Sequence, residues 1–178
     1  MEIRQLRLQR RFLDPVNWMA ITATGWLGLI LGAPLAPTPL ALVAYAVGGT
    51  VCHQLADRSF HVGLTQLAVC ARCTCIYTGA AAACVWLAAT GRREQQRQDA
   101  TSRRGLRTAS ARLWLVCGAV PTIVTIVLEQ AGLWHTTNVP RALAGVLLGL
   151  VVALVAGRAA TLHLVRVASE REPAAPVS

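Results

Sequence analysis

Residues 142–157 read ALAGVLLGLVVALVAG, sixteen positions with no charge and no hydrogen-bonding side chain. A helix that crosses a bilayer needs about 20 predominantly apolar residues, so this stretch reads as a membrane span. Working outward toward the N-terminus, three more apolar segments of similar length appear: Leu113 to Leu128, Cys73 to Thr90, and Val16 to Ala33. No charged residue occurs anywhere in 15–56. The chain is 54% hydrophobic and only 14% charged, whereas soluble domains carry about 25% charged residues. A water-facing globule is thereby excluded. The pattern predicts an all-α fold, a polytopic transmembrane helical bundle of four spans plus a re-entrant or short fifth helix. That fifth piece, Leu40 to Cys52, follows Pro34, Pro37 and Pro39. Each of these prolines lacks an amide hydrogen and resists a helix interior, which places a turn there.

Charge fixes the expected sidedness. All 17 basic residues are arginine, set against 8 acids for a formal charge of +9. Arg92, Arg93, Arg97, Arg103, Arg104, Arg107 and Arg112 crowd one connector, while Arg4, Arg7, Arg10 and Arg11 precede the first span. Short arginine-rich loops stay cytoplasmic. The expected organisation is a basic cytoplasmic tail over 1–15, one bundle domain over 16–167 with an inner solvated loop at 91–112, and a disordered tail over 168–178. The expected location is the cell (inner) membrane, with the stretch from Asp57 to Arg72 on the outer side. Arg10–Arg11 before Phe12 and Leu13 has the look of a twin-arginine export signal, but the cleavage site such a signal needs is crowded by Pro34 and Pro37. A cytoplasmic anchor is the plainer reading. The arginines suit membrane lipids, and no nucleic-acid partner is expected.

Two small-residue stripes recur at every fourth position: Gly145, Gly149, Ala153 and Gly157, and Ala71, Cys75, Gly79 and Ala83. Small residues let helix backbones approach closely inside lipid. The sequence leaves open whether the glycine stripe serves the bundle or a dimer. On the second helix Cys70, Cys73, Tyr77 and Cys84 share another face, and at ~100° per residue Cys75 points well away from Cys73. Cys84 and Cys117 read as inert packing residues of the apolar interior.

The stretch 52–77, CHQLADRSFHVGLTQLAVCARCTCIY, gathers four of the six cysteines and two of the four histidines. Cys70-x-x-Cys73 at a helix start has three possible chemistries. The thiolates can hold zinc or another transition metal, with Cys52 as a third ligand and His53, His61 or His135 as a fourth. They can instead cycle between dithiol and disulfide, with Arg72 and the helix N-terminus lowering a thiol pKa. Or they form a static disulfide on an oxidising face. Candidate metal ligands are therefore Cys52, His53, Cys70 and Cys73. Candidate catalytic groups are Cys70, Cys73, Arg72 and Glu129.

A charge at mid-membrane costs ~2.5–3.5 kcal/mol on insertion scales, so each intramembrane charge needs a reason. Arg72 either snorkels to headgroups or serves a site. Glu129 is expected to pair with Arg58, Arg72 or Arg141. Asn138 and Arg141 open the last span at the same end, where Asn138 can cap the helix. Arg58, Asn138 and Arg141 are candidate substrate-binding residues.

Cys52, His53, Gln54, Arg58, Ser59, Phe60, Cys70, Ala71, Arg72, Cys73, Thr74, Ile76 and Tyr77 together resemble the signature of an uncharacterised family of small multi-spanning membrane proteins, domain of unknown function 2085. Thr137, Asn138, Arg141 and Gly145, with Pro121 upstream, form a second, weaker stretch of resemblance. Cys75 stands where the family usually has Gly. Thr125 and Ile126 replace an Asp-Gly, and Glu129 stands near a common Gln. The resemblance implies membership and site positions and supplies no mechanism.

Three functions follow as expectations. The first is a Cys/His site near the outer face that binds a metal or metal cofactor. The second is a thiol–disulfide oxidoreductase that passes electrons to a membrane quinone. The third is a binder or enzyme for a lipid headgroup or lipid phosphate. No phosphate-cradling glycine loop, Gly-x-Ser-x-Gly elbow or His-Glu-x-x-His helix is present.

Overall fold

Asp14 opens the first helix. Its Oδ1 accepts the Val16 N–H at 3.0 Å, and Pro15, with its φ already helical, occupies the first turn. Helix α1 runs Pro15–Gly32 and ends in a short 3₁₀ turn, Ala33–Leu35, at Pro34. Helix α2, Thr38–Val51, then α3, Ala71–Gln98, α4, Thr108–Gln130, and α5, Asn138–Arg171, complete the helices of the computed structural model, which describes residues 14–98, 108–134 and 137–171.

Four of these helices are long and apolar enough to cross a membrane: Pro15–Leu35, Ala71–Thr90, Ala111–Gln130 and Asn138–Ala160. At ~1.5 Å rise per residue, the 14 residues of α2 reach about 21 Å, short of a ~30 Å hydrocarbon core. The protein is thus a four-span bundle with one short extra helix. Large apolar side chains on all four spans, among them Ile21, Val85, Leu113 and Leu143, stay exposed, as a lipid-facing surface requires. Threonine hydroxyls in the spans find carbonyl partners, most of them one turn earlier, as Thr24 to Ala20 at 2.6 Å and Thr78 to Thr74 at 2.9 Å, so they do not confront hydrocarbon unpaired.

The most extensive seam joins α3 and α5. A methyl at Gly145 would lie 2.5 Å from the Arg72 carbonyl oxygen, one at Gly149 would overlap the Ile76 carbonyl, and one at Gly79 would overlap that of Val146. The two stripes therefore face each other, and the glycine stripe serves the bundle. α1 packs on α3 and α5 through Ala20, which meets Ala83 and Cys84 of α3 and Ala153 of α5, and on α3 through Ile30 nearer the Cys70 end. α4 joins α5 where the Thr122 hydroxyl donates to the Ala144 carbonyl at 3.1 Å, one residue after Pro121, which α4 accommodates without a break.

Three expectations need correction. The 91–112 connector is helical at both ends, since α3 continues to Gln98 and α4 starts at Thr108. Arg, Gln and Glu are good helix formers, so a helix already nucleated in the bilayer propagates through them. Likewise α5 continues to Arg171, past the expected start of the tail at 168; 1–13, 99–107 and 172–178 lie outside the described residues. Finally, Cys117 is exposed on α4 rather than packed inside.

Candidate functional site

The chain between α2 and α3 folds back over one end of the bundle. Cys52, just past α2, is extended, with its N–H still bonded to the Gly48 carbonyl at 2.9 Å. Two residues on, Gln54 takes φ 50°, a conformation that non-glycine residues rarely adopt. Its side chain compensates: Nε2 donates to the Tyr45 and Ala68 carbonyls, each at 2.7 Å. This amide pins the end of α2 to the segment that leads into Cys70, and Gly48 leaves room for it, since a methyl there would lie 3.0 Å from Nε2. After a 3₁₀ turn at Ala56–Arg58, a hairpin follows, with His61 opposite Gln66 and Val62 opposite Thr65. Gly63, at φ 62°, supplies its tight two-residue turn. Sequence patterning missed this hairpin. The Gly63 signal was available, but a pair of two-residue strands carries no periodicity.

Cys70 immediately precedes α3, and its carbonyl accepts the Thr74 N–H at 2.9 Å. Its own N–H donates to the Cys52 sulfur at 3.2 Å. The sulfurs of Cys52, Cys70 and Cys73 all lie within 4.8 Å of one another. Cys52 is buried and the other two are half-buried, packed against Ile30, Val69, Trp26 and Tyr77. The rings of Trp26 and Tyr77 meet edge to face at 6.0 Å. All six cysteines are free thiols here.

A hydrogen bond from the Cys73 side chain is the main influence holding the Cys70 thiol down to about 5. Burial opposes this, while the Cys73 N–H, the Cys52 side chain and the Arg72 N–H add to it. The two N–H groups are donors that a helix N-terminus offers an anion. Because the folded value lies below the ordinary 9.0, the thiolate adds stability that is full above pH 9 and drains away as pH falls toward 5. Alkylation of Cys70 in metal-free protein is therefore expected to be level from about pH 6 to 8, and to fall only near pH 5. Peptide mass spectrometry after iodoacetamide pulses reads this directly. A rate climbing tenfold per pH unit across that range, as for an ordinary thiol, would contradict it.

A second cluster occupies another side of the same helix turn. Glu129, near the end of α4 and 8% exposed, receives Arg141 Nε at 2.9 Å and an Arg72 terminal nitrogen at 3.3 Å on one oxygen. Arg58 stands 3.8 Å from the other oxygen. Arg72 also donates to the Thr125 hydroxyl at 3.2 Å, so it is held by protein and does not reach out to headgroups. Asn138 accepts from Arg141 at 3.3 Å and donates to the Ser59 carbonyl at 3.3 Å, tying α5 to the loop after α2. The Ser59 hydroxyl closes its own turn on the Leu55 carbonyl at 2.8 Å.

The candidate residues thus gather at one end of the bundle, but in two groups. Cys52, Cys70 and Cys73 face α1; Arg58, Arg72, Glu129, Asn138 and Arg141 lie among α3, α4 and α5. His53 and His61 are exposed, and no group of potential metal ligands among the described residues includes either. His135 lies outside the described residues. Gln54 and Thr125 hydrogen-bond the groups around the two clusters, and spacing alone did not single them out.

A family model described as "Predicted membrane protein (DUF2085)" matches residues 52–155. The chain belongs to this family. The DUF2085 region starts at Cys52 and takes in both clusters, whereas α1 and α2 precede it. An uncharacterized protein of Methanocaldococcus jannaschii is 48% identical over 40 residues, which cover 22% of this chain and 26% of that protein. No solved structure matches the chain.

Proposed function

We propose that this DUF2085 protein binds a thiophilic transition-metal ion, zinc in the first instance, through Cys52, Cys70 and Cys73 at the extracytoplasmic end of its bundle. The observation that carries the reading is the approach of three sulfurs from two chain segments to within 4.8 Å. Tetrahedral zinc with ~2.3 Å bonds to sulfur sets its ligands ~3.8 Å apart, so a contraction of at most about 1 Å brings the three sulfurs to ligand spacing. Three thiolates carry one more negative charge than a divalent ion, and the N-terminus of α3 offsets it. With no histidine or carboxylate in the group, a fourth position stays open for an external ligand, the pattern of reactive rather than purely structural zinc. The arginine-rich connector supports the sidedness, because it belongs in the cytoplasm and the sulfur end lies at the opposite pole.

Elemental analysis of protein purified in detergent tests the proposal. About one metal per chain is expected, falling at least tenfold in Cys52→Ser, Cys70→Ser and Cys73→Ser. Cys117→Ser should keep its full metal content. Undiminished metal in all three site variants would remove the reading.

The low Cys70 value favours a second reading, thiol–disulfide exchange. Here the Cys70 and Cys73 thiols would form a disulfide and release two protons and two electrons, which a membrane quinone would take up as quinol. This reading predicts metal-free protein and two thiols that disappear under oxidant and return with reductant. Thiol counting beside the metal analysis therefore separates the two.

A further inference from the structure

The second cluster is over-supplied with positive charge. Three guanidinium groups, Arg58, Arg72 and Arg141, converge on the single carboxylate of Glu129. That leaves two positive charges in excess, or one when Asp57 is counted. Asp57 sits 3.6 Å from Arg58 with its side chain 74% exposed, where water and salt weaken its hold. Meanwhile the Arg72 and Arg141 side chains are 17% and 10% exposed. Unbalanced charge so placed is costly.

Hydrogen bonding points the same way. One oxygen of Glu129 already serves both Arg141 and Arg72, and at 3.8 Å Arg58 lies beyond hydrogen-bond reach of the other. Arg72 Nε is buried, yet no group among the described residues accepts its hydrogen. The donors therefore outnumber the acceptors offered to them, and the half-exposed Arg58 leaves a way in from outside.

From this excess of charge and donors we propose that Arg58, Arg72 and Arg141 form an anion site for a phosphate group, presented either as free phosphate or as the headgroup of an anionic lipid. A phosphate has several acceptor oxygens and carries the missing negative charge, and guanidinium forks match its geometry. Glu129 holds Arg72 and Arg141 in place when the anion is away. This site is separate from the sulfur group and stands whether or not a metal binds there.

The test uses the full chain, purified in dodecyl maltoside and stripped of lipid. Its unfolding temperature is followed during titration with inorganic phosphate, dihexanoyl phosphatidylglycerol and dihexanoyl phosphatidylcholine. A rise with phosphate and phosphatidylglycerol identifies a site open to the free ion. A rise with phosphatidylglycerol alone identifies the lipid headgroup as the source. In both cases Arg58→Gln is expected to weaken binding about tenfold, the value of one charge-assisted hydrogen bond. That position is exposed enough for the variant to fold, as its unfolding temperature without ligand would confirm. The double variant Arg103→Gln/Arg104→Gln, in the connector, should bind like the parent. The proposal is overturned if neither phosphate nor phosphatidylglycerol raises the unfolding temperature, if phosphatidylcholine does so equally well, if Arg58→Gln binds as tightly as the parent, or if the connector variant loses the effect instead.

Discussion

Gly149→Leu is expected to destroy the folded bundle, at a cost of at least ~3 kcal/mol, the upper range for an overpacked interior. Even the first carbon of the new side chain would overlap the Ile76 carbonyl oxygen and lie 3.0 Å from the Ala80 nitrogen. Both obstacles are backbone, so no rotamer change relieves the clash, and α3 and α5 must separate along their main seam. In lipid, that seam depends on close packing rather than on expulsion of water, and a gap between the helices is not offset by hydrophobic gain elsewhere. Fluorescence-detected gel filtration of heated samples reads the loss as a lower midpoint or as aggregate at all temperatures. Gly28→Ala is the matched control. Nothing lies within 4 Å of its new methyl, and alanine is the better helix former, so it should match or slightly exceed the parent. A Gly149→Leu protein that melts with the parent would mean that the stripes do not meet.

The second large effect belongs to Glu129→Leu. Breaking a buried ion pair by removing one partner typically costs ~3–5 kcal/mol, because the remaining charge is stranded. Here Arg141 and Arg72 lose a direct acceptor, and Arg58 loses its ionic contact. Arg58→Leu, which removes only an exposed contact at 3.8 Å, should cost less than ~1 kcal/mol. The ordering of these two variants by unfolding temperature is the measurement. If Arg58→Leu proved as damaging as Glu129→Leu, the cluster would not be organised around the carboxylate.

The spans were legible because a bilayer imposes so blunt a condition: uninterrupted apolar runs at Val16, Cys73, Leu113 and Ala142 leave little choice. The fourfold spacing of Gly145, Gly149, Ala153 and Gly157 likewise announced a close seam, although only the structure shows its partner to be the Ala71, Cys75, Gly79 and Ala83 stripe. The site was legible as a neighbourhood and not as an arrangement. Cys70, Arg72 and Cys73 are nearly contiguous in sequence, but a helix turns ~100° per residue, which sends the sulfurs toward α1 and the guanidinium toward α4. Which partner each meets depends on helix order around the bundle, and hydropathy does not encode that order. Gln54 belongs to the signature, but its part could not be read for a related reason. Its part is to hold a strained loop in shape with two amide hydrogen bonds, and neither its residue type nor its spacing advertises such a part.

One mechanical consequence follows from the seam between α3 and α5. Two rods whose main chains mesh can neither slide nor roll past each other without first being prised apart, so they act as the rigid spine of the molecule. The first helix packs on that spine through Ala20 and the side chains around it, and it brings Trp26 and Ile30 against the sulfurs. Of the groups packed on the sulfurs, Tyr77 belongs to the spine, whereas Trp26 and Ile30 ride on the first helix and Val69 on the loop. A motion that widens access to the thiols therefore has the first helix and the loop to draw on, and not the spine.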